Sequence, residues 1–399
     1  MTRLAIAHLS PLPPQRSGIA AYCAALLPHL AQHVDVTVYA SPVEPLLAQQ
    51  FDARPLETYL TERAQWAQYD FGLYHMGNHP AYHRYIYAAC LRRPGLVVLH
   101  EVDLFAFFWN WPDAAHVPFV REMAYACGLE GLQLARNMVA GSLPVETGSL
   151  PLIERLARIS LGLIVHTSAA RERVLAVAPR ARVAYIPLAA PAIDSAPPDR
   201  PALFSGFPPQ SIVVGALGYL APSKRLDVLL RAVARLRTVC PQLRVILIGS
   251  AIDGYDLSAE IERLGIGELV RVTGYVVDAD FSAYARAIDI GVNLRTAPTG
   301  GEMSAALVHL LAAARPTLVS NVDGFAALPD DAVIKIDQGA AEIDQAVASL
   351  QKLIEQPELR RRYGLAARRY AESTLTFSRV AHDYVDFMYD CRAAIVKQV

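Results

Sequence analysis

Apolar positions in this chain gather into short unbroken runs, separated by longer stretches in which they recur every three or four residues. That is the signature of buried strands alternating with helices. Residues 4–9, 34–39, 71–76, 96–99, 161–166 and 183–187 read as strands of a first half, with helices after Gly18, over 80–91 and up to about residue 140. The alternation restarts with strands at 212–217, 243–249, 270–274 and 288–294 and helices at 225–237, 257–264 and 280–287. Helices at 341–355, 357–371 and 378–398 close the chain. Between the halves, AAPAIDSAPPDRPALFSGFPPQ is rich in proline and poor in core-forming residues, as linkers are. The expected organisation is a first domain over 1–190, a linker over 191–210, a second domain over 211–375 and a closing helix over 376–399. Alternation of this kind implies parallel sheets, whose ligands gather at the carboxyl ends of the strands.

Composition narrows the classes. A chain of 399 residues exceeds what one core serves, 53% apolar content excludes disorder, and a net charge of -1 leaves no nucleic-acid footprint. The apolar run at 4–9 is too short for a signal peptide, and no run approaches a membrane span, so a cytoplasmic protein is expected. Cys23, Cys90, Cys127, Cys240 and Cys391 are odd in number and lack a CxxC pair. They are expected to be core thiols rather than disulfides or zinc ligands.

Candidate chemistry centres on LRTAPTGGEMSAALVHLLAAARPTLVS, from Leu294 to Ser320. Pro298, Gly300 and Gly301 form a loop, and from Glu302 through Ala314 the composition favours helix. Amides near Met303, Ser304 and Ala305 would then open a helix and suit a phosphate, while Glu302 suits a polyol hydroxyl. The competing explanation is a Glu that merely stabilises a helix N-terminus. A second segment, GALGYLAPSKRLDVLL, places Lys224 and Arg225 at a strand end, where two cations suit a diphosphate. Lys224 is one of only four lysines among 37 basic residues. His100, Glu101 and Asp103 follow a strand, and Ser17 and Gly18 form a loop that suits close backbone approach to a ligand.

Several other patterns are weaker. His75, His79 and His83 recur at intervals of four, but Pro80 interrupts any shared helix, and a metal is not expected there. The aromatic patch Phe105 to Trp111 is expected in the core first, and as an acceptor groove or membrane-facing surface second. Asp278 and Asp280 form a DxD, discounted because it lies late in the chain where a helix is expected.

On these residues a resemblance becomes specific. Gly218, Leu220 and Lys224 (G-x-L-x-x-x-K), Gly300-Gly301-Glu302 through Arg315-Pro316, and Leu99-His100-Glu101 resemble, in order, motifs of the retaining GT-B-fold glycosyltransferases of family four. The resemblance implies an α/β protein of two Rossmann-like domains facing each other across a cleft, with a C-terminal helix crossing back to the first. It implies sugar transfer from a nucleotide-sugar donor, without metal or other cofactor, to a glycan, lipid-linked or small-molecule acceptor in polysaccharide, cell-envelope or glycoconjugate synthesis. Glu302, His100 and Lys224 would be the catalytic residues. Gly18, Gly218, Lys224, Arg225, Tyr275, Val276, Glu302, Met303, Ser304 and Ala305 would bind the donor. Asn78, His83, Glu101 and Asp103 are the acceptor candidates, and peripheral contact with the inner face of the cell membrane fits a lipid-linked acceptor. Two departures stand out: Tyr219 where the family usually has Arg, and Leu310 where it usually has a second Glu. Arg225 is expected to restore the missing charge. An epimerase or phosphorylase would share the fold, although no pyridoxal-phosphate lysine region is evident. A catalytically silent nucleotide-sugar-binding protein would explain both departures.

Overall fold

The computed structural model describes residues 3–145, 150–192 and 198–396. The chain forms two compact units, Met1–Leu188 with Gly300–Met303 and Phe377–Val399, and Ala189–Thr299 with Ser304–Thr376. The first contains strands β1 (Ala5–Leu9), β2 (Asp35–Tyr39), β3 (Asp52–Arg54), β4 (Phe71–Met76), β5 (Leu96–Leu99), β6 (Gly162–Val165) and β7 (Val183–Tyr185). They lie in the order β3-β2-β1-β4-β5-β6-β7, all parallel. The second contains β8 (Ile212–Leu217), β9 (Leu243–Ile248), β10 (Val270–Val272), β11 (Ile290–Asn293), β12 (Thr317–Ser320) and β13 (Ile334–Ile336), in the parallel order β10-β9-β8-β11-β12-β13.

Each sheet starts at an inner strand, grows one way and then reverses. The reversal falls between β1 and β4 in the first unit and between β8 and β11 in the second. At such points neighbouring loops diverge and leave a crevice at the carboxyl edge.

The apolar runs explain the sheets: β4, β5, β6, β11 and β12 are buried along their whole length, as strands covered on both faces must be. Helices supply the cover. The helix Leu226–Leu236 buries Leu226, Leu229, Leu230, Val233 and Leu236 along one stripe. Within the first unit, the closing helix Phe377–Val396 packs on the helix Gly18–Leu30 and buries Val380, Tyr384 and Met388.

Three expectations change. The linker carries a helix, Arg200–Leu203, whose Arg200 pairs with Asp289 at 2.9 Å and donates to the Ala287 carbonyl at 2.6 Å, so this stretch belongs to the second unit. Residues 193–197 of that linker and 397–398 of the closing helix lie outside the described residues. The helix expected from Glu302 through Ala314 spans Ala305–Ala312, because Ser304 caps it and Leu307 N–H donates to the Ser304 hydroxyl at 3.3 Å. Cys127 is exposed, whereas the other four cysteines are buried. The aromatic patch is largely core, as first expected, with Phe105, Phe107 and Phe108 buried.

Candidate functional site

In the second unit, the carboxyl edge of β8 leads into the loop of Gly218 to Arg225. Gly218 N–H donates to Ile248 O and Leu220 N–H to Ser250 O, both at 2.9 Å, so the loop starts alongside its neighbour. Gly249 permits this: its φ is 135°, and a Cβ there would overlap the Gly218 carbonyl. The turn Pro222–Lys224 follows, fastened to the loop after β11 by Thr296 N–H donating to Ser223 O at 3.0 Å. Lys224 therefore stands over the reversal point of its sheet. A small cleft there is lined by Tyr219, Lys224, Asn293 and Arg295.

Arg295 is the cation that sequence reasoning passed over. It is buried, its Nη2 donating to the Ser304 hydroxyl at 2.9 Å and its Nη1 to Leu294 O at 2.8 Å, with the Phe325 ring 5.5 Å from the guanidinium. Asn293 Nδ2 donates to the same hydroxyl at 3.1 Å. One signal in the sequence pointed to it, an arginine two residues beyond a buried strand beside the cap of the next helix. Of the three amides expected to open that helix, only Ala305 lies in its first turn. Ala306 joins it, and Met303 and Ser304 precede the helix.

Arg225 is placed differently from the expectation. It sits at φ 50°, ψ 40°, a conformation that favours glycine, and its Nη2 donates to Glu342 at 2.5 Å, with Asp227 3.6 Å from its Nε. Glu342 is buried. This pairing corrects the expected charge compensation: Arg225 neutralises a buried carboxylate, while Arg295 lines the cleft with Lys224. Leu310 is fully buried and lies against Gly291, so the second-Glu position falls in the core. Tyr219 and Tyr275 are both exposed, and Val276 is half-buried.

In the first unit, Glu302 lies in a short segment held by two hydrogen bonds. Val102 N–H donates to Gly300 O at 2.7 Å and the Thr167 hydroxyl to Gly301 O at 2.9 Å. Gly301 has φ 75°, and a Cβ there would overlap Val102 Cγ2, so only glycine fits. The Oε2 atoms of Glu302 and Glu101 lie 3.2 and 3.7 Å from where a Gly300 side chain would begin. Asp103 completes a carboxylate group. Burial raises its pKa, the Phe105 amide and Arg173 oppose the rise, and Glu302 adds to it. Gly18 is exposed at the start of its helix, behind a Ser17 cap whose hydroxyl accepts from Ile19 N–H.

His100 belongs to a chain of imidazoles. His166 Nδ1 lies 2.9 Å from the Ile186 carbonyl, which only accepts, so the proton is on Nδ1 and Nε2 is a lone pair. That lone pair takes the Nδ1 proton of His100 at 3.2 Å, and His100 Nε2 takes the Nδ1 proton of His75 at 3.0 Å. Burial first, then the neighbouring histidines, hold His75 and His100 well below the usual histidine pKa, and burial lowers His166 to about 4. All three are neutral. With both ring nitrogens committed, His100 has none left for a sugar hydroxyl, which corrects its expected direct contact.

The acceptor candidates divide. His83 is buried, its Nδ1 bonding His75 O at 3.1 Å, so it offers no surface to an acceptor and the expectation is corrected. Asn78 uses its carboxamide oxygen to accept from Phe107 N–H at 2.7 Å. Glu101 and Asp103 remain half-buried beside Glu302. His79 is exposed and does not join His75 and His83 in a ligand set. Asp278 starts the helix Asp278–Ala287, placing the DxD in its first turn.

Residues 204–370 match the family model described as glycosyl transferases group 1. A D-inositol 3-phosphate glycosyltransferase of Thermobifida fusca (strain YX) is 28% identical over 204 residues, 48% of this chain and 46% of that protein. The chain thus aligns with about half the length of that curated relative. Among solved structures, HepE of Anabaena, in complex with UDP and glucose, superposes with a TM-score of 0.67 at 16% identity, covering 97% of this chain and all of that one. Sucrose-phosphate synthase of Thermosynechococcus elongatus gives 0.65 at 15% identity, covering 98% and 100%. These structural likenesses fix the fold class of the two Rossmann-like units, the GT-B class.

Proposed function

Because residues 204–370 match the family model of the glycosyl transferases group 1, we propose that the chain transfers a sugar from a nucleotide-sugar donor to an acceptor with net retention. The observation that carries the proposal is the grouping of Lys224, Arg295 and the Ser304-capped helix at the carboxyl edge of the second sheet. Lys224 and the Ala305 and Ala306 amides bind the donor diphosphate, and Arg295 adds positive charge from beneath while holding the helix cap. Tyr275 and Val276 rest against the base. Gly18 approaches the donor phosphates, and Glu302 accepts hydrogen bonds from sugar hydroxyls. HepE is solved with UDP and glucose, which makes a uridine nucleotide the first donor to try.

In the reaction the bond from the anomeric carbon to the diphosphate breaks as the acceptor oxygen bonds to the same face of that carbon, and the acceptor hydroxyl proton passes to the departing diphosphate. The transition state resembles an oxocarbenium ion, and charge builds on the departing diphosphate. Preorganised cations and amides stabilise that charge more than they stabilise the bound donor, which is what lowers a barrier. The reaction needs no metal, so turnover should not require added magnesium or manganese. His100 acts as a positioning residue, holding the chain of imidazoles below Glu101.

The acceptor is a glycan, lipid-linked or small molecule, with Glu101 and Asp103 as its contacts, in polysaccharide, cell-envelope or glycoconjugate synthesis. Among the described residues no helix is long and apolar enough to cross a membrane. Leu129, 84% exposed, with Val117, Val139, Leu143 and Val145 also exposed, would be the apolar positions for peripheral contact with the inner face of the cell membrane. The second reading, a catalytically silent nucleotide-sugar-binding protein, is favoured by Tyr219 and by the burial of Leu310. The experiment is a thermal-shift panel of UDP, GDP, TDP and ADP with their common sugar adducts, on wild type and Lys224→Ala, followed by donor turnover. Stabilisation by one nucleotide, lost in the variant and accompanied by turnover, supports transfer. Binding without turnover on any acceptor supports the silent protein, and no shift at all refutes both.

A further inference from the structure

His8 on β1, His75 on β4 and Cys23 on the helix Gly18–Leu30 are fully buried at the point where the first sheet reverses. In the parallel register His8 stands opposite Leu73, so His75, two residues on, points to the same face as His8. Cys23 comes from the helix covering that face. One ligand atom of each lies within 4.8 Å of the others, and the Nε2 atoms of His8 and His75 are buried without a hydrogen-bond partner.

The surrounding bonds decide what those atoms present. The imidazole chain that ends on the Ile186 carbonyl places the proton of His75 on Nδ1 and leaves Nε2 a bare lone pair. The Ser10 hydroxyl sits 3.3 Å from His8 Nδ1 and also bonds the Cys23 sulfur. It can accept from the one and donate to the other, which leaves a second bare Nε2; burial raises the Cys23 pKa and the Ser10 bond opposes the rise, so a bound metal would take the place of the thiol proton, which is released to solvent. Metal-binding histidines are oriented by such bonds to the ring nitrogen opposite the metal.

We propose that His8 Nε2, Cys23 Sγ and His75 Nε2 form a buried three-ligand site for a thiophilic d10 metal ion. An ion bonded at about 2.0 Å to nitrogen and about 2.3 Å to sulfur holds its ligands roughly 3.5–3.8 Å apart, a contraction from the 4.8 Å within which one ligand atom of each residue already lies. Burial that keeps both imidazoles neutral suits the purpose, since a protonated ring cannot ligate. One thiolate and two neutral imidazoles carry a single negative charge. Copper(I) closes the site neutral, whereas zinc leaves a net positive charge in an apolar interior and asks for a fourth ligand, so copper(I) is favoured. His75 also bonds His100, but metal retention by the three ligands is read without reference to the donor assignment.

The test uses the full chain in a Cys127→Ala background, which removes the exposed thiol. Reduced protein is loaded with copper(I) or with zinc, desalted, and its metal counted by mass spectrometry. The expected result is close to one copper ion per chain, a raised melting temperature, and loss of both in the additional Cys23→Ala variant. Uptake of zinc in place of copper(I), with the same dependence on Cys23, upholds the site and reassigns the ion. Retention well short of one ion per chain with either metal, or equal retention without Cys23, overturns it. Should Cys23→Ala fail to fold, X-ray absorption on the loaded parent decides: a first shell of sulfur and imidazole nitrogen supports the site, and a shell without sulfur refutes it.

Discussion

Replacing Arg225 by alanine separates a structural cation from a donor-binding one. Glu342 has only 2% of its side chain exposed, Arg225 has 27%, and they meet at 2.5 Å. Removing one partner of a buried pair typically costs about 3–5 kcal/mol, because the remaining charge stays buried. The partial exposure of Arg225 and a remaining bond to the Gly339 backbone place this case at the lower end, about 3 kcal/mol. For a unit of this size that is a melting shift of about 6–12 °C. Arg225→Gly should sit about 1 kcal/mol above Arg225→Ala, since glycine adopts φ 50° without strain.

The sign of the pH dependence is fixed by Glu342. Burial raises its pKa, Arg225 opposes the rise, Asp227 adds to it, and the Gly339 backbone lowers it. A carboxylate raised in the folded state binds its proton more readily there, so its contribution to stability is lost as pH rises through the folded value. Without Arg225 the rise is larger. The gap between wild type and Arg225→Ala should therefore be widest near neutrality and narrow as pH falls toward the ordinary carboxylate range, where a protonated Glu342 needs no partner. Thermal melts across pH, with and without UDP, read both effects. An unchanged melting temperature, or a lost response to a nucleotide that stabilises wild type, would refute the structural assignment.

Three further outcomes test the proposed donor site and its supports. Lys224→Ala should remain folded and lose about 10²–10³ in kcat, the usual loss on removing one preorganised contact to developing charge, measured as donor turnover. Arg295→Met should lower the melting temperature, because two charge-assisted bonds worth about 1.5–3 kcal/mol each are lost, and should weaken nucleoside diphosphate binding in calorimetry. Gly301→Ala should destabilise the first unit by about 2–4 kcal/mol through left-handed strain and overlap with Val102, and reduce turnover by displacing Glu302; denaturant titration and turnover report the two effects.

The strands were the most legible feature, because a buried parallel strand is an unbroken apolar run bounded by turn residues. The spans 71–76, 96–99 and 212–217 coincide with β4, β5 and β8. The short edge strands β3 and β13 escaped notice: three residues, partly exposed, carry too little apolar signal. The helix after β11 was misplaced by three residues, because propensity alone does not see that the Ser304 hydroxyl gathers Leu307 N–H, Asn293 and Arg295 and so fixes where the helix starts. His100 was read as a residue at a strand end. Its partners His75 and His166 lie 25 and 66 residues away in sequence, and only strand order brings them into line. The His8, Cys23 and His75 group was hidden for the same reason, while the regular spacing of His75, His79 and His83 drew attention to residues that do not meet.

The three cations near the second unit's carboxyl edge show why residue type alone did not assign their roles. Lys224 and Arg225 are adjacent in sequence and looked equivalent as diphosphate ligands. The backbone separates them: Lys224 ends a short 3-10 turn, and Arg225 takes a left-handed conformation that delivers its side chain to Glu342. A guanidinium bound to a buried carboxylate has little attraction left for a phosphate. Arg295 is oriented by the Ser304 hydroxyl and the Leu294 carbonyl beside the cleft that Lys224 also lines. In the proposed donor site, a diphosphate over the cleft would meet Lys224 and Arg295 together.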